Sequence, residues 1–135
     1  MDKKASDHFA HIINLAIGIL TQPEYDTDIT PERAILHFRG QYGSRRVFIT
    51  ELLSDGLRKY RYYILRGNRI EAGFDNAPDP RAIRMKYGKI GEEYAGEPIP
   101  HLHLEDKNRM VLTEETPFSA FVEWIERNVP KEDAE

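Results

Sequence analysis

The chain has 135 residues, 40% of them hydrophobic and 31% charged, with a formal charge of −4 and no cysteine. That size suits one domain spanning residues 1–135 around one core, and the composition excludes a fibrous or low-complexity protein. The missing cysteines exclude a disulfide scaffold, thiolate zinc sites and a cysteine nucleophile, and the net acidity argues against a uniformly electropositive nucleic-acid binder.

The charge is unevenly spread. Between Arg58 and Lys89 nine basic residues face only Glu71, Asp75 and Asp79, so a basic middle lies between acidic ends. No stretch has the ~20 apolar residues that span a bilayer, and the apolar run behind the start is broken by Asp7, His8, His11 and Asn14. A cytoplasmic protein with no membrane partner is expected.

Ser6 is placed to cap a helix over about 6–21, in which Phe9, Ile12, Ile13, Ala16, Ile17 and Leu20 recur at helical spacing. His8 and His11 lie at the edge of that stripe and read as solvated boundary residues. From Ile29 the pattern changes to short runs of β-formers between turn residues, predicting strands over 33–39, 45–53, 57–66 and 69–74. Asp55-Gly56 and Gly67-Asn68 suit two-residue hairpin turns, because these residues tolerate positive φ. Such turns put Glu51 opposite Tyr60, Phe48 opposite Tyr63, and Tyr63 opposite Ala72. Tyr60, Tyr62, Ile64, Glu71 and Asp75 would then share one face.

Ala77-Pro78-Asp79-Pro80 cannot continue a central strand. A short helix is expected around 82–87, followed by a mobile loop through Gly88, Gly91 and Gly96, and then return strands near 102–104 and 109–112. Thr116 is read as the N-cap of a closing helix over 116–129, with Phe118, Phe121, Val122, Ile125 and Val129 on its apolar stripe and Trp124 at the core edge. The expected fold is α+β: an antiparallel meander of five to six strands, over about 30–113, packed by an N-terminal and a C-terminal helix. Unpaired edges of so small a sheet point to a homodimer.

Two chemistries suit the polar residues. His101 and His103 are one residue apart, so on a strand both imidazoles project from one face. With Asp75 they make a two-histidine, one-carboxylate set of a type that binds divalent metal when the three converge. Without metal, two histidines can serve as base and acid on an RNA 2′-hydroxyl and its leaving oxygen, with Arg61 and Arg81 neutralising phosphate and Tyr60 or Tyr62 stacking a base. The bland alternative is that Tyr and Arg alternate on a solvent-facing strand with no catalytic duty. Asp75-Asn76-Ala77-Pro78 likewise reads either as a capped turn or as a carboxylate and an amide held at the rim of a cleft.

The order of a tyrosine-rich strand, a hairpin, Phe74-Asp75-Asn76-Ala77-Pro78, Pro100-His101-Leu102-His103 and a final amphipathic helix resembles the TumE-type toxins of small toxin–antitoxin modules, over roughly residues 35–128. Asp79 and Pro80 stand where that family usually has histidines. Leu102 interrupts its Pro-His-His-x-His pattern, and the insertion over 81–97 is longer than the family's spacing. The resemblance implies a prokaryotic toxin component with an antitoxin protein as partner and RNA as target. Asp75, Asn76, Pro78, His101 and His103 carry over, with Tyr62 and Tyr63 beside them. The leading expectation is an endoribonuclease without metal or other cofactor, in which His101 and His103 are acid and base, Asp75 orients one of them, and Arg61, Arg81, Tyr60, Tyr62 and Asn76 bind substrate. The alternatives are a non-catalytic binding module that docks a protein or nucleic acid, and a hydrolase holding metal on Asp75, His101 and His103.

Overall fold

In chain order, a helix α1 (Asp2–Ile19) leads into five consecutive strands: β1 (Thr21–Ile29), β2 (Arg33–Tyr42), β3 (Arg45–Ser54), β4 (Leu57–Arg66) and β5 (Arg69–Asp75). A short helix α2 (Pro80–Tyr87) and a single 3-10 turn (Glu92–Tyr94) precede β6 (His101–Leu104), β7 (Arg109–Leu112) and the closing helix α3 (Phe118–Asn128). This is a computed structural model, and it describes residues 2–89 and 91–131. The described strands form one seven-stranded antiparallel sheet in sequence order, a pure meander flanked by helices, so the expected α+β class holds with more strands than anticipated.

The additional strand is β1. Its sequence, Thr-Gln-Pro-Glu-Tyr-Asp-Thr-Asp-Ile, lacks the apolar alternation that marks a half-buried strand, and almost every residue is exposed. An edge strand needs no buried face of its own, and Pro23 with three acidic residues discourages further pairing. The pairing with β2 shifts between Thr21 and Glu24, where Pro23 lies.

Both predicted two-residue turns form. Asp55 and Gly56 adopt positive φ, and Ser54 pairs with Leu57 and Arg66 with Arg69. Glu51 faces Tyr60 and Phe48 faces Tyr63, as expected. Beyond Leu65–Ile70, however, the register slips: Ile64 pairs with Ala72 and Tyr63 with Gly73, which leaves Glu71 as the extra residue of a β-bulge. Glu71 meets the buried Arg45 at 2.9 Å, and Arg45 also donates to the Pro130 carbonyl at 3.0 Å. The bulge therefore gives Arg45 an anionic partner under the end of α3. Because strand side chains alternate, the slip also moves Asp75 off the face of Tyr60 and Tyr62.

α1 and α3 cover one face. Leu36, Phe38, Val47, Ile49, Tyr62, Ile64 and Phe74 meet Phe9, Ile12 and Ala16 from α1 and Phe118, Phe121 and Ile125 from α3 in one core. Each large apolar side chain buried there contributes roughly 1.5–3 kcal/mol. Trp124 packs edge-on against Phe74 at the rim, as expected. Two predicted caps differ. Ser6 lies inside α1, and Pro117 rather than Thr116 occupies the N-cap of α3, because the Thr116 hydroxyl donates to the Glu114 carbonyl. Among the described residues no helix is long and apolar enough to cross a membrane.

On the opposite face, α2 lies toward β7 through a second small core of Ala82, Ile83 and Ile99, joined by Met110 and Leu112. Asp79 caps α2 by accepting from the Arg81 amide, and Pro80 fits its first turn. The residues that depart from the TumE pattern thus have a local structural task. In the segment expected to be a mobile loop, of which residue 90 lies outside the described residues, Tyr94 stacks on Tyr87 at 3.9 Å and the Tyr87 hydroxyl donates to Glu97.

A buried His–His–Asp cluster on the face away from α1 and α3

β5 and β6 bring the candidate residues together. Their antiparallel register sets Asp75 opposite His101 and Gly73 opposite His103, and the alternation of β6 turns both imidazoles to the side away from α1 and α3. His101 Nε2 lies 3.0 Å from Asp75 Oδ1, His103 Nε2 lies 3.4 Å from Oδ2, and the two Nε2 atoms are 3.1 Å apart. All three residues are at least 97% buried.

Their neighbours fix them. The His101 Nδ1–H donates to the Ile99 carbonyl at 2.6 Å. The Tyr63 hydroxyl donates to Asp75 Oδ2 at 2.9 Å, and the Ala77 amide donates to Oδ1 at 2.9 Å. The last bond is the local turn expected of an Asp placed before Asn-Ala-Pro, so Asp75 both ends its strand and faces the histidines. Burial, the largest single influence, opposes ionisation of Asp75, yet its hydrogen bonds with His101 and His103 outweigh it and hold the carboxyl well below the usual carboxylate range. Burial likewise opposes a charged His101, but the bonds to Asp75 and the Ile99 carbonyl raise its pKa. Burial first, and then the Asp75 charge, push the Tyr63 phenol up.

The resemblance named Tyr63 without giving it a task, and Gly73 is the residue whose part in the site the sequence does not announce. A Cβ on Gly73 would lie 2.6 Å from the Tyr63 ring, so only glycine lets that ring cross β5 and reach Asp75. The signal was present as a glycine inside a strand, which marks a close approach. Arg61 and Lys107 flank the same ring at 5.5 and 5.3 Å, and Arg81 donates to the Lys107 carbonyl at 2.8 Å. Arg61, Arg81 and Lys107 are exposed. Beside them a cleft of roughly 420 Å³ is lined by His37, Thr50, Lys59, Arg61, Ala77 and Pro98 among others. The basic rim therefore stands next to the buried cluster, with Tyr63 between.

Three expected substrate-binding residues have buried side chains engaged by the fold, although Tyr60 and Asn76 border the cleft. Tyr60 and Tyr62 lie under the helices, 3% and 0% exposed, and present no ring face to a base. Tyr62 donates to Glu51 and accepts from Arg58, while Tyr60 accepts the Thr116 amide. The bulge at Glu71 is the physical reason that they and Asp75 sit on opposite faces. Asn76 is spent on the fold: it accepts the Tyr60 amide at 3.1 Å and donates to the Arg58 carbonyl at 2.8 Å and to Glu115 at 3.2 Å. His8, read as a solvated boundary residue, is half-exposed but bonds Glu51 at 2.7 Å.

No family model, curated protein or solved structure matches the chain.

Proposed function

We propose that this chain is a TumE-like toxin component that cuts RNA at the Asp75–His101–His103 cluster and is held in check by an antitoxin protein. The observation that carries the reading is the convergence of Asp75 with the sequence-distant His101–His103 pair, all singled out by the resemblance, at 3.0–3.4 Å beside an exposed basic rim. Arg61, Lys107 and Arg81 are suited to phosphate, whose affinity comes mainly from such cations. The cluster itself is buried, so turnover requires a local opening that admits the phosphate.

Inducible expression of the wild type and of the His101→Ala, His103→Ala double variant tests this, with growth and total RNA integrity followed together. Arrest with RNA cleavage in the wild type alone is expected. If purified, partner-free protein cuts no RNA and arrest survives the double substitution, the reading fails.

The burial of the cluster supports a second reading, a non-catalytic binding module. Its docking surface would be the uncovered face of β2–β4, where His37, Arg39 and Arg61 are exposed and Phe48 and Thr50 half-buried. Arrest by both proteins with intact RNA would select it. A homodimer formed by strand pairing would use β7, since Pro23, Glu24, Asp26 and Asp28 guard β1.

A further inference from the structure

We propose that Asp75, His101 and His103 bind one divalent transition-metal ion, through the Nε2 atoms of both imidazoles and the Asp75 carboxylate. Two ligand atoms each about 2.1 Å from one ion, at angles between square and tetrahedral, lie about 3.0–3.4 Å apart. The cluster's separations, 3.1 Å between the Nε2 atoms and 3.0 and 3.4 Å from them to the carboxylate oxygens, fall in that range. Each imidazole meets a different carboxylate oxygen, and one ligand atom from each of the three residues lies within 4.8 Å of the other two, close enough for a single ion to draw them together. An acid and a base working on opposite sides of a phosphate would need to stand further apart.

A proton inventory points the same way. A carbonyl only accepts, so His101 Nδ1 carries a proton for Ile99, and a neutral His101 has a bare lone pair at Nε2. Nε2 faces an Asp75 oxygen and His103 Nε2 at once: with a proton it donates to Asp75, and without one its lone pair points into the cluster. One added proton can aim at only one of these neighbours. A cation where the three lone pairs meet engages all of them.

The atoms behind two of the three ligands are arranged as ligands require. The Ile99 carbonyl orients His101, and the Tyr63 hydroxyl and Ala77 amide each hold one carboxylate oxygen. His103 Nδ1 is buried with no hydrogen-bond partner among the described residues. An outer partner of that kind is worth roughly 10–100-fold in affinity, so the ion should be removable by chelator. Two imidazoles and a carboxylate without thiolate select zinc, nickel, cobalt, iron(II) or manganese over calcium and magnesium. Three protein ligands leave positions for water or a phosphate oxygen. That last use rests on the RNA reading, whereas binding itself does not.

The test uses the full chain, stripped by chelator and titrated without RNA with zinc and with cobalt(II), followed by calorimetry, elemental analysis and the cobalt visible spectrum. One ion per chain, a cobalt spectrum of low-symmetry nitrogen–oxygen coordination and a melting temperature raised by zinc are expected. His103→Gln and Asp75→Asn, checked for folding by circular dichroism, should lose more affinity than the roughly 10–100-fold an outer partner contributes, and Tyr63→Phe an amount within that range. Folded wild type that takes up neither ion overturns the proposal. So does uptake unchanged in both variants, which would place the ion on His8, His11 or His37. Should the variants not fold, pulsed electron paramagnetic resonance of copper-loaded wild type decides by counting imidazole ligands: two uphold the site, none overturns it. A site that fills in a protein that cuts no RNA upholds this inference and removes the RNA reading. An empty site in a protein that cuts RNA does the reverse.

Discussion

The sheet carries one buried carboxylate on each face, and their surroundings differ in kind. Under the helices, Glu51 is met by His8 at 2.7 Å, by Arg58 at 3.0 Å and by the Tyr62 hydroxyl. Arg58 is held in turn by the Thr116 carbonyl and lies 4.3 Å from the Tyr60 ring. Two of these donors, a guanidinium and a phenol, keep their protons at any ordinary pH, so the network is closed. On the other face Asp75 meets two imidazoles whose Nε2 atoms also face each other, and the protons do not suffice for every contact. A buried carboxylate alone therefore says little about function. What distinguishes the two is whether its partners are fixed donors or groups that can also give up a lone pair.

That contrast can be broken first at Glu51. Glu51→Ala removes the carboxylate that Arg58, Tyr62 and His8 share, and removing one partner of a buried charged network costs about 3–5 kcal/mol. Urea denaturation should show a loss of that size, and a loss below about 1 kcal/mol would mean that the helix-side network is not the closed structural unit described.

A smaller effect is expected at Gly73. A methyl group there collides with the Tyr63 ring, and overpacking of this kind costs about 1–3 kcal/mol. Adding Tyr63→Ala should relieve the clash, so the double variant should be more stable than the sum of the two single changes implies. Strict additivity would show that the ring does not depend on the glycine.

The smallest effect is absent at neutral pH. Burial first, and then the neighbouring carboxylates Glu51 and Asp75, raise the Tyr62 and Tyr63 phenols. A raised folded-state pKa means that the stability these groups confer is fully present below their unfolded value of about 10 and is lost as pH rises above it. Stability should therefore be insensitive to these two groups up to about pH 10 and fall beyond it, with absorbance at alkaline pH reporting their tyrosinates only as the protein unfolds. Ionisation of all seven tyrosines together in the folded protein would show both clusters to be open to water.

The sequence by itself determined what depends on near neighbours. Helical spacing announced α1 and α3, the Asp55-Gly56 and Gly67-Asn68 pairs announced two hairpins, and the His-x-His spacing placed both imidazoles on one side of β6. Each follows from the 3.6 or 2-residue period of the backbone or from the φ that a turn demands. Tertiary structure decided the rest. β1 pairs without an apolar pattern because an edge strand has no face to bury. The bulge at Glu71 answers to Arg45 across the sheet, and through it Asp75 was carried away from Tyr62 and onto the face of His101 and His103. No local rule contains that step, because a shift of one residue in pairing leaves every nearby preference satisfied while exchanging the faces of all that follows.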